Sequence, residues 1–373
     1  MPRTILVLNA GSSSVKFAVA HDRHIFVRGN IDHFGQRAGV RLMAGRHTSQ
    51  RTANIPNLRT ALTAVHKILA KLNITPTIVA HRIVHGGPKL SKPSKLTPAV
   101  IRYLHQLIEL APLHQPANLL GISFAKKAWP KATEWGVFDT AIYRALPVKV
   151  RTYALPRNIT KRLHIEKYGF HGLSHDWAFR QLAHQLNKPI NKLTAVTIHL
   201  GAGASMTLWK HGRPADTTMG FTPLEGLVMA TRSGDIDPAI PLFIQDKLGW
   251  SAKKVEHLLE QHAGLVGLTG MSDMRDVLGA AGHSVLGWPR RRWTTAARKR
   301  AKQALDIYIY HVRRTLAGYL GLADVQAIVF TGPIGNNRTI QKLILRDLPA
   351  ARRIKCLAVI ANEEQDVVDQ LGK

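Results

Sequence analysis

Apolar residues recur along the chain in two patterns, short continuous runs and helical spacing. Near the start, the runs "TILVLNA", "VKFAVAH" and "IFVRGNI" are separated by turn residues and predict three β-strands. Apolar positions three or four residues apart then predict helices over 57–72, 98–111 and 116–129. A short strand-like run, "EWGVFDT", follows. The first part of the chain is therefore expected to fold as a mixed α/β region.

The same order of elements returns after residue 150. "LTAVTIHLGAG" and "ASMTLWKHGRP" predict a strand, a tight glycine turn and a second strand. Helical spacing follows in "IPLFIQDKL", in "AKKVEHLLEQ" and over 294–320. A buried strand, "VQAIVFTG" (325–332), ends in another glycine turn.

Two of these segments are faint copies of each other. "LVLNAGSSSVKFAV" and "VTIHLGAGASMTLW" each contain an apolar strand, a turn of small residues that begins at Gly11 or Gly201, and a second apolar strand. A duplicated α/β domain with a cleft between the halves would produce this layout.

Composition limits the class of protein. The chain has 373 residues, of which 45% are hydrophobic, and this suffices for two or three domains with sizeable cores. No run approaches the roughly 20 apolar residues of a spanning helix, and "TILVLNA" is too short for a signal segment. Cys356 is the only cysteine, which excludes an internal disulfide and fits a reducing compartment. We expect a soluble cytoplasmic protein that does not bind a membrane.

The charge balance is strongly basic. Lys and Arg total 52 against 23 Asp and Glu, a formal net charge of +29 that attracts phosphates, nucleic acids and acidic surfaces. The densest basic stretch, 288–320, continues as an amphipathic helix, so a solvated helix face is the favoured interpretation. The chain has no zinc-finger, basic-zipper or RNA-recognition signature, and specific nucleic-acid binding is not expected.

Three turns of small residues that follow strands indicate phosphate binding. "GSSSVK" is not a P-loop, because it has one glycine and its lysine is followed by strand-like sequence rather than a helix. Hydroxyls and backbone N–H groups of Ser12, Ser13 and Ser14 could line the turn, with Lys16 as a point charge. A plain Gly/Ser hairpin is the alternative. The turns in "HLGAGAS" (199–205) and "FTGPIGNN" (330–337) leave backbone amides uncovered, and Ser205 is the one polar side chain after the second turn.

Charged residues in four motifs fit phosphoryl transfer, in which arginine or histidine offsets charge and a carboxylate holds Mg²⁺ or positions the acceptor. Each also has a structural interpretation. Arg82 in "HRIVHGG" could form an ion pair, and His171 in "YGFHGLSHDW" could pack on the core. His175 makes a metal pair with His171 conceivable, but Gly172 and the lack of a nearby third ligand disfavour zinc.

The remaining two motifs are "VFDTA", which places Asp139 at a strand end, and "TPLEGLVMATRSGDIDPAI", which carries Arg232, Asp235 and Asp237. The second motif could instead be an Asx turn that caps a helix starting near Pro238.

Taken in order, these motifs resemble those of the acetate and propionate kinase family, which has the actin-like ATPase fold of the sugar kinases. Matching segments span nearly the whole chain and include "LNAGSSSVKF", "HRIVHGG", "LAPLHQPANLLGI", "VFDTAIYRALP", "KYGFHGLSH", "DTTMGFTPLEGLVMATRSGDIDPAI", "VFTGPIGNN" and "NEEQDVV". The resemblance implies an α/β protein of duplicated actin-like (ribonuclease H-like) domains flanking a central cleft. It also implies phosphoryl transfer from ATP to the carboxylate of a short-chain acid, acetate or propionate, with Mg²⁺ or Mn²⁺.

The resemblance also implies roles for particular residues, by motif. Four would be catalytic: Arg82, Asp139, His171 and Arg232. The acid would meet Arg82 and an apolar pocket of Val84, Leu113 and Pro223. The metal would be held by Asn9 and Glu363. ATP or ADP and its phosphates would meet Ser12, Ser14, Lys16, His199, Gly201, Ala202, Gly203, Asp273, Arg275, Gly332 and Gly335.

The resemblance further implies a first domain over 1–145, to which about 361–373 return. A second domain over 146–360 would hold the nucleotide site and a homodimer interface. The sequence departs from the family pattern at three places: Ala202 stands where asparagine is usual, Pro333 and Asn336 replace glycine and glutamate, and "HQPA" replaces "HNPP".

Overall fold

The structure is a computed structural model that describes residues 3–289 and 291–372. The sequence-based ranges at residues 1–2 and 373, and position 290 of the basic stretch, lie outside the described residues. The described strands are β1 (Thr4–Ala10), β2 (Ser14–His21), β3 (His24–Asp32), β4 (Gly35–Ala44), β5 (His47–Ile55), β6 (Ile78–Ile83), β7 (Ser94–Lys95), β8 (Thr133–Phe138), β9 (Ala195–Leu200), β10 (Ala204–Lys210), β11 (Arg213–Thr217), β12 (Ala327–Thr331) and β13 (Lys355–Val359).

Helices connect and cover these strands. They are α1 (Leu58–Lys71), α2 (Pro98–Gln106), α3 (Gln115–Ala128), α4 (Val148–Arg151), α5 (Arg157–Arg162), α6 (Gly172–Leu186), α7 (Ala239–Leu248), α8 (Ala252–Gln261), α9 (Gly264–Thr269), α10 (Met274–Ala280), α11 (Thr295–Leu322), α12 (Gly332–Gly335), α13 (Arg338–Leu345) and α14 (Glu363–Leu371). None of the helices in the described part of the chain combines the length and the apolar character needed to cross a membrane.

The described chain divides into two compact units. One comprises residues 3–144, 170–176 and 362–372, and the other comprises 145–169 and 177–361. The first unit is therefore assembled from three separate stretches of sequence.

The first unit contains an eight-stranded sheet in the order β5-β4-β3-β2-β1-β6-β8-β7. Alternate residues of its strands point to opposite faces. One face, which includes Leu6, Leu8 and Phe17, packs in a core with apolar residues of α1 and α3. The other face includes Val7 and Ala80 and packs against Val367 and Val368 of α14. Helix α14 thus brings the last part of the chain onto a sheet whose strands come from the first part.

The second unit contains a five-stranded sheet in the order β11-β10-β9-β12-β13. Three antiparallel strands, β11-β10-β9, are followed by two strands parallel to β9. The strands β3-β2-β1-β6-β8 of the first sheet have the same order and the same directions. The α/β fold class and the internal duplication predicted from the two similar hairpins are confirmed.

Two sequence-based expectations need correction. The helix predicted over 98–111 ends at Gln106, and a short 3₁₀ turn over Ile108–Leu110 follows. Pro112 disfavours helical backbone at Ala111, so the helix could not include the last residue of the predicted range. Strands β4, β5, β6, β7 and β13 were not predicted. Most of β5 is exposed and polar, so it lacks the apolar run by which strands such as β1 were recognised.

Candidate active site

Polar side chains of the first unit collect where strands β1 and β6 end. Asn9 of β1 is directly opposite Lys16 of β2. Leu8 is in register with His81 of β6, so Asn9 and Arg82 occupy the next position along these two strands. Residues in register on neighbouring strands share a face of the sheet. This face is the one that α14 covers, and α14 begins with Glu363.

Arg82 is the centre of this group. Its guanidinium makes a two-point contact with Asp139, with Nε–Oδ1 at 3.2 Å and Nη2–Oδ2 at 2.7 Å. Its Nη1 lies 2.9 Å from Oε2 of Glu363. Burial by itself lowers the pKa of Arg82, but the two carboxylates more than offset this and hold the pKa above its ordinary value. Arg82 is therefore a permanent, oriented cation.

Asp139 is itself buried, at the residue after β8. Burial raises the pKa of its carboxyl, while the charge of Arg82 and its hydrogen bonds oppose the rise. The ion pair that the sequence left as the structural alternative for Arg82 is present. The same contact holds the Arg82 guanidinium and the Asp139 carboxylate side by side, where both could contact a substrate.

Asn9 and Glu363 offer oxygen ligands next to this pair. The Asn9 amide nitrogen lies 3.4 Å from Oε2 of Glu363. Within residues 3–289 and 291–372, no cluster of three or more His, Cys, Asp or Glu side chains is arranged to hold a metal. Mg²⁺ ordinarily keeps several waters and uses one or two carboxylates together with substrate phosphates. A carboxylate and an amide oxygen on one sheet end fit such an ion.

His171 comes to this unit from the middle of the chain. It is the residue before α6, and its backbone is left-handed, with φ of 58°. A Cβ at the following Gly172 would lie 2.0 Å from the carbonyl oxygen of Asp139. Only glycine permits this close approach, which keeps the beginning of α6 against the residue after β8.

Asn118 of α3 was not singled out in the sequence, although it organises this end of the sheet. Its amide nitrogen donates to the carbonyl of Ala10 at 2.8 Å, and its Oδ1 accepts from the N–H of Val84 at 3.0 Å. Asn118 thereby connects the last residue of β1, before the first turn, to the loop 84–87 that follows β6. A buried asparagine inside an apolar helix was the available signal.

Three other predicted site residues belong to this unit: Ser12, Val84 and Leu113. In the first turn, the N–H of Gly11 donates to the carbonyl of Ser14 at 2.8 Å, which leaves Ser12 exposed at the tip. Val84 and Leu113 are both half-buried, at the end of β6 and just before α3.

The second unit carries the equivalent turn between β9 and β10. The N–H of Gly201 donates to the carbonyl of Gly203 at 2.9 Å, and His199 pairs across the strands with Ser205. His199 also pairs with Thr331 at the end of β12. No charged side chain stands at these three strand positions, so this turn offers mainly backbone groups.

The third turn is helical rather than irregular. Gly332 has φ of 82°, and a Cβ there would lie 2.5 Å from the carbonyl of Leu200. Pro333 falls in the first turn of α12, where its missing N–H would have no helical partner in any case. Pro333 therefore removes no hydrogen bond of this helical turn.

A cavity of about 330 Å³ joins three of the predicted nucleotide motifs of the second unit. Its lining includes Gly201, Ala202, Asp273, Arg275, Pro333 and Ile334. Asp273 caps the N-terminus of α10 by accepting from the N–H of Arg275, and it also holds the Arg275 guanidinium with Nη2–Oδ2 at 2.6 Å. Hydrogen bonding to Arg275 lowers the pKa of Asp273. Its volume falls within the range of small-molecule pockets, and we call it the nucleoside cavity after the predicted nucleotide motifs that line it.

Arg232 lies in the loop before α7. Its Nη1 donates to the carbonyl of Pro223 at 3.2 Å. Burial lowers the pKa of Arg232, and Glu260 opposes this. Asp235 fastens the same loop by accepting from the N–H of Gly226 at 2.7 Å.

The Asx turn considered for this loop is also present, because Asp237 accepts from the N–H of Ala239 at 2.8 Å as α7 begins. The structural and functional interpretations of the motif are therefore compatible.

Comparisons with known proteins identify the family of the chain. A family model described as the acetokinase family matches residues 4–352. Acetate kinase 1 of Vibrio cholerae is 37% identical over 359 residues, which cover 93% of this chain and 87% of that protein. An acetate kinase of Sulfurovum sp. is 35% identical over 343 residues, which cover 90% and 83%.

Two solved structures are similar over almost the full length. A propionate kinase from Francisella tularensis has a TM-score of 0.87 and 32% identity, and covers 99% of this chain and 98% of its own. The acetate kinase of Porphyromonas gingivalis has a TM-score of 0.82 and 29% identity, with 98% of both chains covered. The chain belongs to the acetokinase family, whose members are kinases of the actin-like ATPase fold that transfer phosphate to a carboxylate.

Proposed function

We propose that this protein is an acetate kinase, which reversibly transfers the γ-phosphoryl group of ATP to the carboxylate of acetate and yields acetyl phosphate and ADP. The observation that carries the proposal is the Arg82 group, a cation held by Asp139 and Glu363 at the end of the first sheet. A transferred phosphoryl group spreads negative charge over its oxygens, and preorganised cations stabilise it.

The first unit supplies the groups for the acid and the transferring phosphoryl. Arg82 offsets the charge of the acyl phosphate, and His171 holds the planar phosphoryl. Ser12, Ser14 and Lys16 line the first phosphate turn. Direct in-line transfer needs no covalent phospho-enzyme, since positioning and charge stabilisation suffice for this chemistry.

The second unit supplies the nucleotide and further charge. Asp273, Arg275, Gly332 and Gly335 belong to the nucleoside side, and the backbone of 201–203 lies next to the phosphates with His199. Arg232, positioned by the Pro223 carbonyl, serves the γ-phosphate.

Asn9 and Glu363 would hold Mg²⁺, or Mn²⁺, together with the phosphates of ATP. When bound, the ion neutralises phosphate charge and withdraws electron density from the transferring group. Glu363 already shares one oxygen between Asn9 and Arg82, so this carboxylate links the metal ligands to the arginine.

The choice of acid rests on a small apolar pocket to which we assign Val84, Leu113 and Pro223. Propionate is the second candidate, because the propionate kinase of Francisella tularensis is similar over the whole chain. One methylene in such a pocket changes the barrier by about 1–3 kcal/mol, so both acids are expected to react at different rates.

ATP-dependent acyl-hydroxamate formation with acetate, propionate and butyrate tests the proposal. The wild-type chain should react, and Arg232→Ala should lower kcat by ~100-fold or more through loss of a preorganised donor. Arg213→Ala, at an exposed position of β11, is the matched control and should stay near wild type. If the protein reacts with none of the acids and binds DNA in a salt-sensitive way, it is instead a non-catalytic ATP-binding protein. The net charge of +29 would then contribute to the DNA binding.

We also propose a homodimer that uses α7. This helix has no buried residue, although Ile240, Leu242, Phe243 and Leu248 are apolar. An exposed apolar face of this kind is typical of a protein interface. Light scattering should give twice the chain mass for the wild type and a smaller mass for Leu242→Glu. A wild-type monomer would contradict the dimer and leave the kinase proposal untouched.

A further inference from the structure

The second unit contains a second cavity of about 330 Å³, which shares Arg275 with the nucleoside cavity. Arginine and tryptophan side chains dominate its walls: Arg275, Trp288, Arg291, Trp293 and Arg298. Four of these five residues come from the basic stretch 288–320, which the proposed kinase function does not use.

Two of its three arginines lie near one indole ring. The Arg275 guanidinium carbon lies 3.6 Å from the centroid of the Trp288 ring, and that of Arg291 lies 5.9 Å away. Asp276 fixes the ring by accepting from the Trp288 Nε1–H at 2.9 Å. Cation–π contacts of this kind hold guanidinium groups in place while their edges stay accessible to a ligand.

The charge of the cavity is positive. Asp273 neutralises Arg275, and Asp276 neutralises Arg291 through a contact of 3.2 Å. Arg298, in the first turns of α11, has no carboxylate partner among residues 3–289 and 291–372. Trp293 and Gly279 of α10 both line the cavity, and a Cβ at Gly279 would lie 3.8 Å from the Trp293 Nε1.

We propose that this cavity binds a small phosphate-bearing anion, with Arg298 as its principal anchor and the edges of Arg275 and Arg291 as additional donors. Guanidinium groups bind phosphate through paired, charge-assisted hydrogen bonds. A volume of about 330 Å³ accommodates a small phosphorylated molecule rather than a folded segment.

The position of Arg275 couples this site to the nucleoside cavity, a part of the inference that rests on the proposed function. Arg275 lines both cavities and is held by Asp273, which lines the nucleoside side. An anion that attracts Arg275 competes with Asp273 and changes the charge beside the nucleotide. By linkage, the anion and the nucleotide must alter each other's affinity by the same factor.

Calorimetric titration of the full chain with inorganic pyrophosphate tests the site. Arg298→Ala should weaken binding of pyrophosphate by about tenfold, since one charge-assisted contact is lost. Arg300→Ala, two residues further along the same helix and outside the cavity lining, should stay within about twofold. Equal affinities in Arg298→Ala and the wild type, or equal losses in both variants, would overturn the site.

A second titration separates the site from the proposed function. In the wild type, the affinity for ADP should change when pyrophosphate is added. In Arg298→Ala, the affinity for ADP should be the same with and without pyrophosphate. A protein that binds pyrophosphate through Arg298 but fails to bind ADP would retain the anion site and refute the kinase proposal.

Titration with AMP identifies the source of the phosphate. Tighter binding than pyrophosphate, lost in Trp293→Ala, supports a nucleotide whose base stacks on the indole. Equal binding that ignores Trp293→Ala supports an inorganic oligophosphate in the same site.

Discussion

At the ends of equivalent strands, the two sheets carry side chains of different chemistry. In the first unit, the equivalent positions on three neighbouring strands hold Asn9, Lys16 and Arg82. In the second unit they hold His199, Ser205 and Thr331. The first turn is longer and carries hydroxyls, whereas the second is closed by Gly201 and Gly203.

Under the proposed function, the two copies would contribute in different ways. The charged side chains of the first copy would stabilise the charge of the transferring group. The backbone amides and small residues of the second copy would permit a close approach of the nucleotide. Changes at equivalent positions should therefore have unequal effects.

The largest effect is expected at the arginine. Arg82→Ala should lower kcat by ~100-fold or more, because it removes the preorganised cation of the first strand end. Thr331→Val at the equivalent strand position should stay within a fewfold, since the Thr331 hydroxyl is buried without a partner in the described part of the chain.

Hydroxamate assays on both Arg82→Ala and Thr331→Val, with melting temperatures to show that each is folded, check this prediction. Similar losses in the two variants would remove the asymmetry between the units.

Acid should weaken the first unit through His85. Burial, followed by the charge of Arg144, lowers the pKa of His85 to about 3 from 6.5. Between pH 6.5 and pH 3, His85 therefore binds a proton more readily in the unfolded chain than in the folded protein. Protonation of His85 has little effect on stability above about pH 6.5 and lowers the stability as the pH falls below this value. Lowering the pH from 7 to 5 should cost about 2 kcal/mol at this residue.

Denaturant titrations of the wild type and His85→Asn at the two pH values measure this contribution. The variant keeps an acceptor for the N–H of Gly87 but cannot titrate, so its stability should fall less. Parallel declines in the two proteins would place the acid sensitivity elsewhere.

The backbone chemistry of the second unit should be sensitive to a methyl group. Gly332→Ala places a Cβ against the Leu200 carbonyl at a positive φ, which should cost about 1–3 kcal/mol of stability and raise the KM for ATP about tenfold. Gly318→Ala in α11 has open space around its Cβ and serves as the control, with no loss expected.

Steady-state kinetics and thermal unfolding of the two glycine variants provide the measurement. An unchanged KM in a folded Gly332→Ala protein would show that the third turn does not approach the nucleotide.

The smallest effect is expected from giving the second turn a polar side chain. Ala202 is exposed and lines the nucleoside cavity, so Ala202→Asn adds a donor without displacing the core. One further hydrogen bond of about 1 kcal/mol should lower the KM for ATP about fivefold. A higher KM would show that the turn depends on its bare backbone.

The sequence was most informative where structure is local. The hairpins at Gly11 and Gly201 were predicted because each combines apolar strands with a turn of small residues over about a dozen positions. Helix α11 was predicted from its spacing, and it spans Thr295–Leu322. Strand β5 escaped because its stability comes from pairing with β4 rather than from apolar side chains.

The geometry of the site depends on contacts that no local pattern contains. Arg82 meets Asp139 from a distance of 57 residues along the chain, and Asn9 meets Glu363 from 354. Arg28 shows the same limit, because it donates to Asn362 at 2.9 Å and thereby supports the residue that caps α14. Motif resemblance named the candidate catalytic residues, but only the folded chain shows which neighbours orient them.

The three-part composition of the first unit has a consequence for biosynthesis. Glu363 and α14 are translated only after the whole second unit, roughly tens of seconds after Asp139 at ordinary elongation rates. Until then, Val7 and Ala80 lack the helix that covers them, and Arg82 lacks one of its two carboxylates. Any sheet of the first unit that forms before α14 is synthesised therefore exposes this part of its apolar face to solvent.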